Sequence, residues 1–279
     1  MNQYLLVGEV NRLKINRYTD NGVYLICTDE DEVLLPNQYV TYGMKEGDEI
    51  DAFVYFDSED RIVASTVFPK AMLDQFGCFE VVDVAPFGAF LDWGLPKDLL
   101  VPTALQKFPF RVGMHVVVRV CLDDETGRIL GSQKYAEELS KDLSALKLHQ
   151  KVNLLVREKT PLGFKVIVNH LYDGMIFHNE IFETLDVGDE KEAYIKAIRK
   201  DGKLDMILQP TGAKSDELLA QKVLEWLDAR GGKSDMNYKS SPETIQDALG
   251  LSRKAYKRAL TKLCDTKKIV IDEEGIKRL

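Results

Sequence analysis

Positive charge is short in this chain: 37 Lys and Arg stand against 45 Asp and Glu, for a formal net charge of -8. Domains that coat nucleic acid by bulk charge are usually basic, so any such binding here has to use a local patch. Cysteine is scarce as well. The four, Cys27, Cys78, Cys121 and Cys264, never form a Cys-x-x-Cys pair, which argues against a disulfide framework and a zinc site. They read as small core residues or inert thiols. No apolar run approaches the ~18 residues of a membrane span, and Met1-Asn2-Gln3-Tyr4 lacks the basic-then-apolar start of a signal peptide. A cytoplasmic protein without a membrane partner is expected. The four histidines, His115, His149, His170 and His178, show no metal-ligand spacing, and no nucleophile, base and orienting group single themselves out. The chain is therefore read as non-enzymatic, with no cofactor, metal or catalytic residue. Arg230-Gly231-Gly232-Lys233-Ser234 suggests a phosphate loop, but the motif needs a glycine where Leu227 stands and a strand where a helix is expected. It reads as a helix stop and linker.

What the chain does contain is a repeat. Short β patterns such as Tyr4-Leu5-Leu6-Val7, Gly22-Val23-Tyr24-Leu25-Ile26 and Ile50-Asp51-Ala52-Phe53-Val54-Tyr55, separated by turn residues, suggest an all-β barrel over residues 1–67. The same order returns at 70–134 and at 149–209. Gly22 and Gly47, Gly88 and Gly113, and Gly163 and Gly188 are each 25 residues apart. A shared interval between two backbone-permissive residues marks three copies of one fold. Pro36, Pro102 and Phe177 each lie 14 residues after the first glycine, and Arg61, Arg128 and Lys203 open the last strand of each copy. Asp57, Asp124 and Arg199 precede those basic residues by four.

Copy two holds Pro86-Phe87-Gly88-Ala89-Phe90-Leu91. Successive strand side chains face opposite ways, so placing Phe87 and Phe90 on one side needs a bend, which Gly88 permits. The pair is read as an exposed stacking platform for nucleic-acid bases. The competing reading is that both rings belong to the core, as aromatics in β domains usually do. Between copies two and three, Ala136, Leu139, Leu143, Leu146 and Leu148 approximate helical periodicity, which predicts a connecting helix over 135–148.

After Pro210-Thr211-Gly212 the pattern turns helical. Ser215 is read as the N-cap of a first helix, Ser241-Pro242 as the start of a second that stops at Gly250, and Ser252 as the cap of a third. Ile269-Val270-Ile271 and Ile276-Lys277-Arg278-Leu279, joined by Asp272-Glu273-Glu274-Gly275, form a hairpin. Three helices followed by a hairpin over 215–279 make an α+β winged helix-turn-helix pattern. Its third helix carries Arg253, Lys254, Lys257, Arg258 and Lys262, read as a nucleic-acid face or else as a solvated charge run. The acidic turn at Asp272-Glu273-Glu274 counts against a phosphate contact there.

In copy two, Phe87-Gly88-Ala89-Phe90-Leu91, Leu100-Val101-Pro102, Val112-Gly113 and Asp124-Glu125-Thr126-Gly127-Arg128-Ile129 together resemble the RNA-binding domain named after ribosomal protein S-one. That domain is a five-stranded OB-fold barrel. Three such domains with a C-terminal winged helix resemble the conserved virulence factor B family of bacterial RNA-binding proteins. The resemblance implies a mainly β, multidomain chain of three S-one-like OB-fold barrels and a winged helix. It also implies an RNA face built from the two aromatics, a histidine after the next strand, and an Asp and Arg four apart. Carried over, copy two keeps Phe87, Phe90, Asp124 and Arg128. Copy one keeps Tyr24, Asp57 and Arg61 but has Asn21 at the first aromatic position, in a segment where acids outnumber bases more than twofold. Copy three has Leu162 and Lys165 in place of the aromatics, Phe177 at the histidine position, and Arg199 and Lys203 in place of the Asp and Arg pair. The expected partner is single-stranded RNA, bound without catalysis in post-transcriptional regulation. Duplex DNA read by the winged helix of a transcription regulator, or a protein bound by an interaction scaffold, are the alternatives.

Overall fold

The computed structural model describes residues 4–27, 31–181, 183–209, 213–272 and 275–279, without the side chains of residues 213–215 and 218. Strands β1 (Val10–Thr19), β2 (Gly22–Ile26), β3 (Glu32–Pro36), β4 (Glu49–Phe56) and β5 (Ile62–Ser65) close into a barrel in the order β1-β2-β3-β5-β4. Strands β6 (Phe76–Ala85), β7 (Gly88–Asp92), β8 (Leu99–Pro102), β9 (His115–Leu122) and β10 (Ile129–Ser132) follow the same path. There the ladder stays open between β8 and β10, and a Cβ on Gly131 would stand 2.7 Å from Val101 Cγ2. The third set, β11 (Lys151–Thr160), β12 (Gly163–Val168), β13 (Tyr172–Phe177), β14 (Glu190–Ile198) and β15 (Leu204–Ile207), closes like the first. A one-turn 3-10 segment follows the third strand of each set: Asn37–Tyr39, Thr103–Leu105 and His178–Glu180.

The geometry accounts for the 25-residue interval. Gly22 and Gly163 open the second strand with φ of 147° and 153°, and a Cβ there would lie 2.1 Å from Leu35 O and 2.0 Å from Ile176 O. The carbonyls of the third strand leave no room for a side chain. Gly47, Gly113 and Gly188 precede the fourth strand with φ of 92°, 84° and 99°. Each donates its amide, at 2.8 Å, to Ile15 O, Val81 O or Val156 O. These acceptors sit at the β-bulges Ile15/Arg17, Val81/Asp83 and Val156/Glu158 of the first strand. Both glycines are thus pinned to one strand, and the interval is the length of chain that leaves and regains it.

Residues Met1–Leu139 and Ser140–Leu279 form two compact units. In the first, β4 is buried on both faces. Ala52 and Val54 point into the first barrel, while Phe53 and Tyr55 point out of it and join the core of the second. Phe53 meets Trp93 edge-on at 5.9 Å, so two barrels are fused through one apolar seam. At about 25 cal/mol per Å² of apolar area removed from water, such a seam favours a fixed pair over two tethered domains.

The second unit joins the third barrel to the C-terminal domain. Helix α1 (Ala213–Asp228), β16 (Lys233–Ser234), α2 (Pro242–Leu249), α3 (Arg253–Asp265), β17 (Ile269–Asp272) and β18 (Gly275–Arg278) make a winged helix with a sheet ordered β16-β18-β17. The caps agree with the sequence. Ser241 accepts from Thr244 N, Ser252 accepts from Ala255 N, and Gly250 takes φ 59° at the end of α2. Ala255, Tyr256, Ala259, Leu260 and Leu263 are buried.

Three expectations are corrected. Residues 135–148 form turns and not a helix. Ser140 Oγ and Asp142 Oδ1 accept the amides of Asp142 and Ser144 at 3.2 and 3.0 Å, and side chains that bind their own backbone compete with helix hydrogen bonds. Ser140 also bridges to Tyr172 in parallel, leaving Leu143 and Leu146 to pack on the third barrel. Lys233 and Ser234 are a strand paired with Lys277 and Ile276, not linker. Helix α1 starts at Ala213, two residues ahead of Ser215, so Ser215 is inside the first turn. The boundary Pro210-Thr211-Gly212 and the wing residues Glu273 and Glu274 lie outside the described residues.

Candidate nucleic-acid interface

Pro86 and Phe87 are the two-residue turn of the β6–β7 hairpin, closed by the Ala85 and Gly88 pair. The spacing of the two phenylalanines is therefore resolved by a turn and not by a bend within a strand. Phe87 is 62% exposed. Phe90, half-buried on β7, meets it edge-on with centroids 6.0 Å apart and rings at 90°. Gly88 cannot carry a side chain, because a Cβ would lie 2.8 Å from Val101 O. The hairpin turn, the glycine and the third strand together hold both rings at the surface.

The same register identifies the equivalents. Asn21 and Leu162 occupy the position of Phe87, and Tyr24 and Lys165 that of Phe90. The cross-strand partner of the second position is Arg17, Asp83 or Glu158. In copy one, the Arg17 guanidinium covers the Tyr24 ring at 3.9 Å and also bonds Glu32 at 2.8 Å. That face of Tyr24 is already stacked. In copy three, Lys165 bonds Glu158 at 3.0 Å. The partnership of Arg17 with Tyr24 was missed in the sequence, although a two-residue turn plus one bulge specifies it.

The basic residues of the fifth strands differ in their partners. Arg61 pairs with Asp57 at 2.7 Å and Glu59 at 2.8 Å. Desolvation pushes the Asp57 carboxyl up, but the Arg61 guanidinium and the amides of Arg61 and Glu59 together hold it below the usual range. Arg128 does not pair with Asp124. It reaches across the seam to Asp60 of the first barrel, at 2.6 Å. The turn acid of copy two is Asp123, which accepts from Thr126 N and Oγ1 at 2.8 and 2.6 Å. Gly127, at φ 67°, adds a residue to this turn, so the ladder aligns Asp123 with Asp57 and Arg199. Asp124 forms no hydrogen bond or ion pair among the described residues. Arg199 pairs with Asp201 at 2.8 Å, and Lys203 stands 3.6 Å from Asp173, which also holds the half-buried Arg157. The basic residues expected on copy three therefore lie in a field of carboxylates. Phe177 is half-buried opposite Gly163. Beside it, His178 was missed in the sequence because it stands one place past the family position. It meets Phe164 edge-on at 6.0 Å, with Nε2 3.1 Å from Thr160 O.

On α3 the basic residues divide into two rows. Arg258 and Lys262 face α1, 2.5 Å from Asp216 and 3.9 Å from Glu217. Arg253, Lys254 and Lys257 are exposed and form no ion pair among the described residues. No described group of three or more His, Cys, Asp or Glu is placed to hold a metal ion. No described helix is long and apolar enough to cross a membrane.

Barrels of this strand order with a winged helix define a tandem OB-fold protein built from two domain types that belong to nucleic-acid-binding folds. The family model of an S1 domain matches residues 7–67, and that of a CvfB-like winged helix domain matches residues 221–277. Across 94% of its length the chain is 28% identical to YitL of Bacillus subtilis, covering 90% of that protein. It is 23% identical to conserved virulence factor B of Staphylococcus epidermidis, over 97% of this chain and 93% of the relative. A crystal structure of a multidomain protein with nucleic acid binding domains from Streptococcus pneumoniae is 25% identical, with a TM-score of 0.44 over 98% of both chains. The chain is thus similar to the conserved virulence factor B proteins along almost its whole length, and its C-terminal domain matches the CvfB-like winged helix model.

Proposed function

We propose that this protein binds single-stranded RNA, without catalysis, and acts in post-transcriptional regulation in the cytoplasm. The observation that carries the reading is the pairing of exposed Phe87 with half-buried Phe90 at the β6–β7 turn. Exposed aromatics on an OB barrel supply a stacking surface tolerant of base identity, worth about 1–3 kcal/mol per stacked base. The second barrel is the main contact, because its platform is the one not covered by a neighbouring cation or replaced by an aliphatic or basic residue. The first barrel, acidic and with Tyr24 already stacked, serves chiefly to hold the second. The third barrel contributes through Phe177, and through Lys165, Arg199 and Lys203 once their carboxylate partners are exchanged for phosphates. A titration of the full chain with single-stranded RNA, single-stranded DNA and duplex DNA tests the reading. RNA is expected to bind best, and equal or better binding of duplex DNA refutes it.

A second reading rests on α3, where Arg253, Lys254 and Lys257 have no acidic partner among the described residues. This row suits phosphate contact by the winged helix, to RNA or to duplex DNA. Replacing all three by alanine is expected to weaken nucleic-acid binding and lower its salt dependence by about 0.7–0.9 per lost phosphate contact. Unchanged binding and slope would assign the row to solvent.

A further inference from the structure

The seam between the first two barrels opens into a cleft of about 350 Å³, bordered by Phe56 and Asp60 of the first barrel and by Phe90, Trp93, Lys97 and Arg128 of the second. Its volume is within the roughly 300–1,000 Å³ of small-ligand sites. Phe90 belongs both to this cleft and to the platform, so the exposed aromatic surface continues into the seam. At the rim the charges are arranged unusually. The Asp60 carboxylate is divided between two cations of the other barrel, with Oδ1 3.3 Å from Lys97 Nζ and Oδ2 2.6 Å from Arg128 Nη2. Asp60 stands in a turn with φ 58°, a left-handed conformation uncommon for a residue with a side chain. Lys97 is further fixed by donating to Asp57 O at 2.6 Å, and Trp93 Nε1 donates to Lys97 O at 2.5 Å. Asp98, the other acid on the wall, forms no ion pair among the described residues.

An arginine and a lysine converging on one pair of oxygens beside an aromatic ring is the donor set that recognises a phosphate flanked by a base. We propose that this cleft is a nucleotide subsite continuous with the Phe87 and Phe90 platform, in which Lys97 and Arg128 take a backbone phosphate at the position where the Asp60 carboxylate stands in the free chain. The inference rests on the single-stranded RNA reading above and deepens it. The first barrel then has a defined role, supplying an internal anion that keeps both cations in place and sets a threshold against free anions. A strand that also stacks on Phe90 exceeds this threshold by exchanging one ion pair for another.

The test is a salt-dependent titration of the full chain with a labelled single-stranded oligoribonucleotide. Asp60→Asn removes the competing charge and retains the shape. The expected result is an affinity gain of about two- to fivefold at low salt, with a salt slope steeper by about 0.7 for the one unit of net positive charge gained at the site. Lys97→Met is expected to do the opposite in both readouts. Circular dichroism and thermal midpoints report whether each variant folds, and Lys97→Met decides the matter alone if Asp60→Asn does not. In a Trp226→Phe background, Trp93 is the sole tryptophan, and its emission is expected to change at saturating RNA. Parent-like affinity and slope in folded Asp60→Asn or Lys97→Met, weaker binding by Asp60→Asn, or unchanged Trp93 emission would each overturn the subsite. Failure of the parent chain to bind RNA would instead overturn the functional reading beneath it.

Discussion

Replacing Phe87 and Phe90 together by alanine removes the two rings while leaving Gly88 and the hairpin register in place. The rings are perpendicular with centroids 6.0 Å apart, so they cannot both lie flat against one base, and each takes its own. At about 1–3 kcal/mol per base the ceiling is about 2–6 kcal/mol. Phe90 is half-buried and offers less than a full face, which places the expected loss near about 2–3 kcal/mol, or roughly 30- to 150-fold in Kd. The cost to folding is smaller. Phe87 is 62% exposed, and the lost edge-to-face contact is worth about 0.5–1.5 kcal/mol beyond area burial. Fluorescence anisotropy with a single-stranded oligoribonucleotide at two salt concentrations measures the first quantity, and thermal unfolding the second. The loss is expected to be similar across RNA sequences, because stacking does not read base edges. A folded double variant with parent-like RNA affinity would refute the platform.

Other outcomes follow from local geometry. Gly163→Ala drives a Cβ to 2.0 Å from Ile176 O at φ 153° and is expected to destabilise the chain by more than about 2 kcal/mol. Gly113→Ala, at φ 84° with open space around the added carbon, is expected to cost about 1 kcal/mol, and paired thermal melts would expose a reversed order. The Asp123 carboxyl is held below its ordinary value, first by the Thr126 side chain and then by the Thr126 amide. A folded-state pKa below the unfolded value stabilises at higher pH and loses that contribution as pH falls through the folded value. Asp123→Asn should therefore melt below the parent at pH 7, with the gap closing as the pH falls below the ordinary Asp value of about 3.9. A gap independent of pH would show that the carboxylate charge plays no part.

The sequence made the repeat legible because its markers act through the backbone. A glycine where a carbonyl approaches to 2.0 Å has no substitute, and its position survives when surface residues such as Phe87, Asn21 and Leu162 differ. Helix caps were legible for the same reason, since Ser241 and Ser252 each bond an amide three residues on. The stretch 135–148 was misread because its apolar spacing fits a helix, whereas its polar residues close turns and its leucines serve a barrel. Counting four residues back from Arg128 selected Asp124, because the extra turn residue of copy two shows only once the strands are paired.

The chain alone made the three barrels, the winged helix and the Phe87 and Phe90 pair legible, because the glycine interval, the helix caps and the hairpin turn that mark them are set by backbone geometry. Tertiary structure decided which charges are free. Asp60 and Arg128 are 68 residues apart and meet only because Phe53 and Tyr55 leave one barrel to complete the core of the next. Opposite charges within reach dominate the local electrostatics, and no periodicity along the chain encodes which carboxylate a given arginine will find.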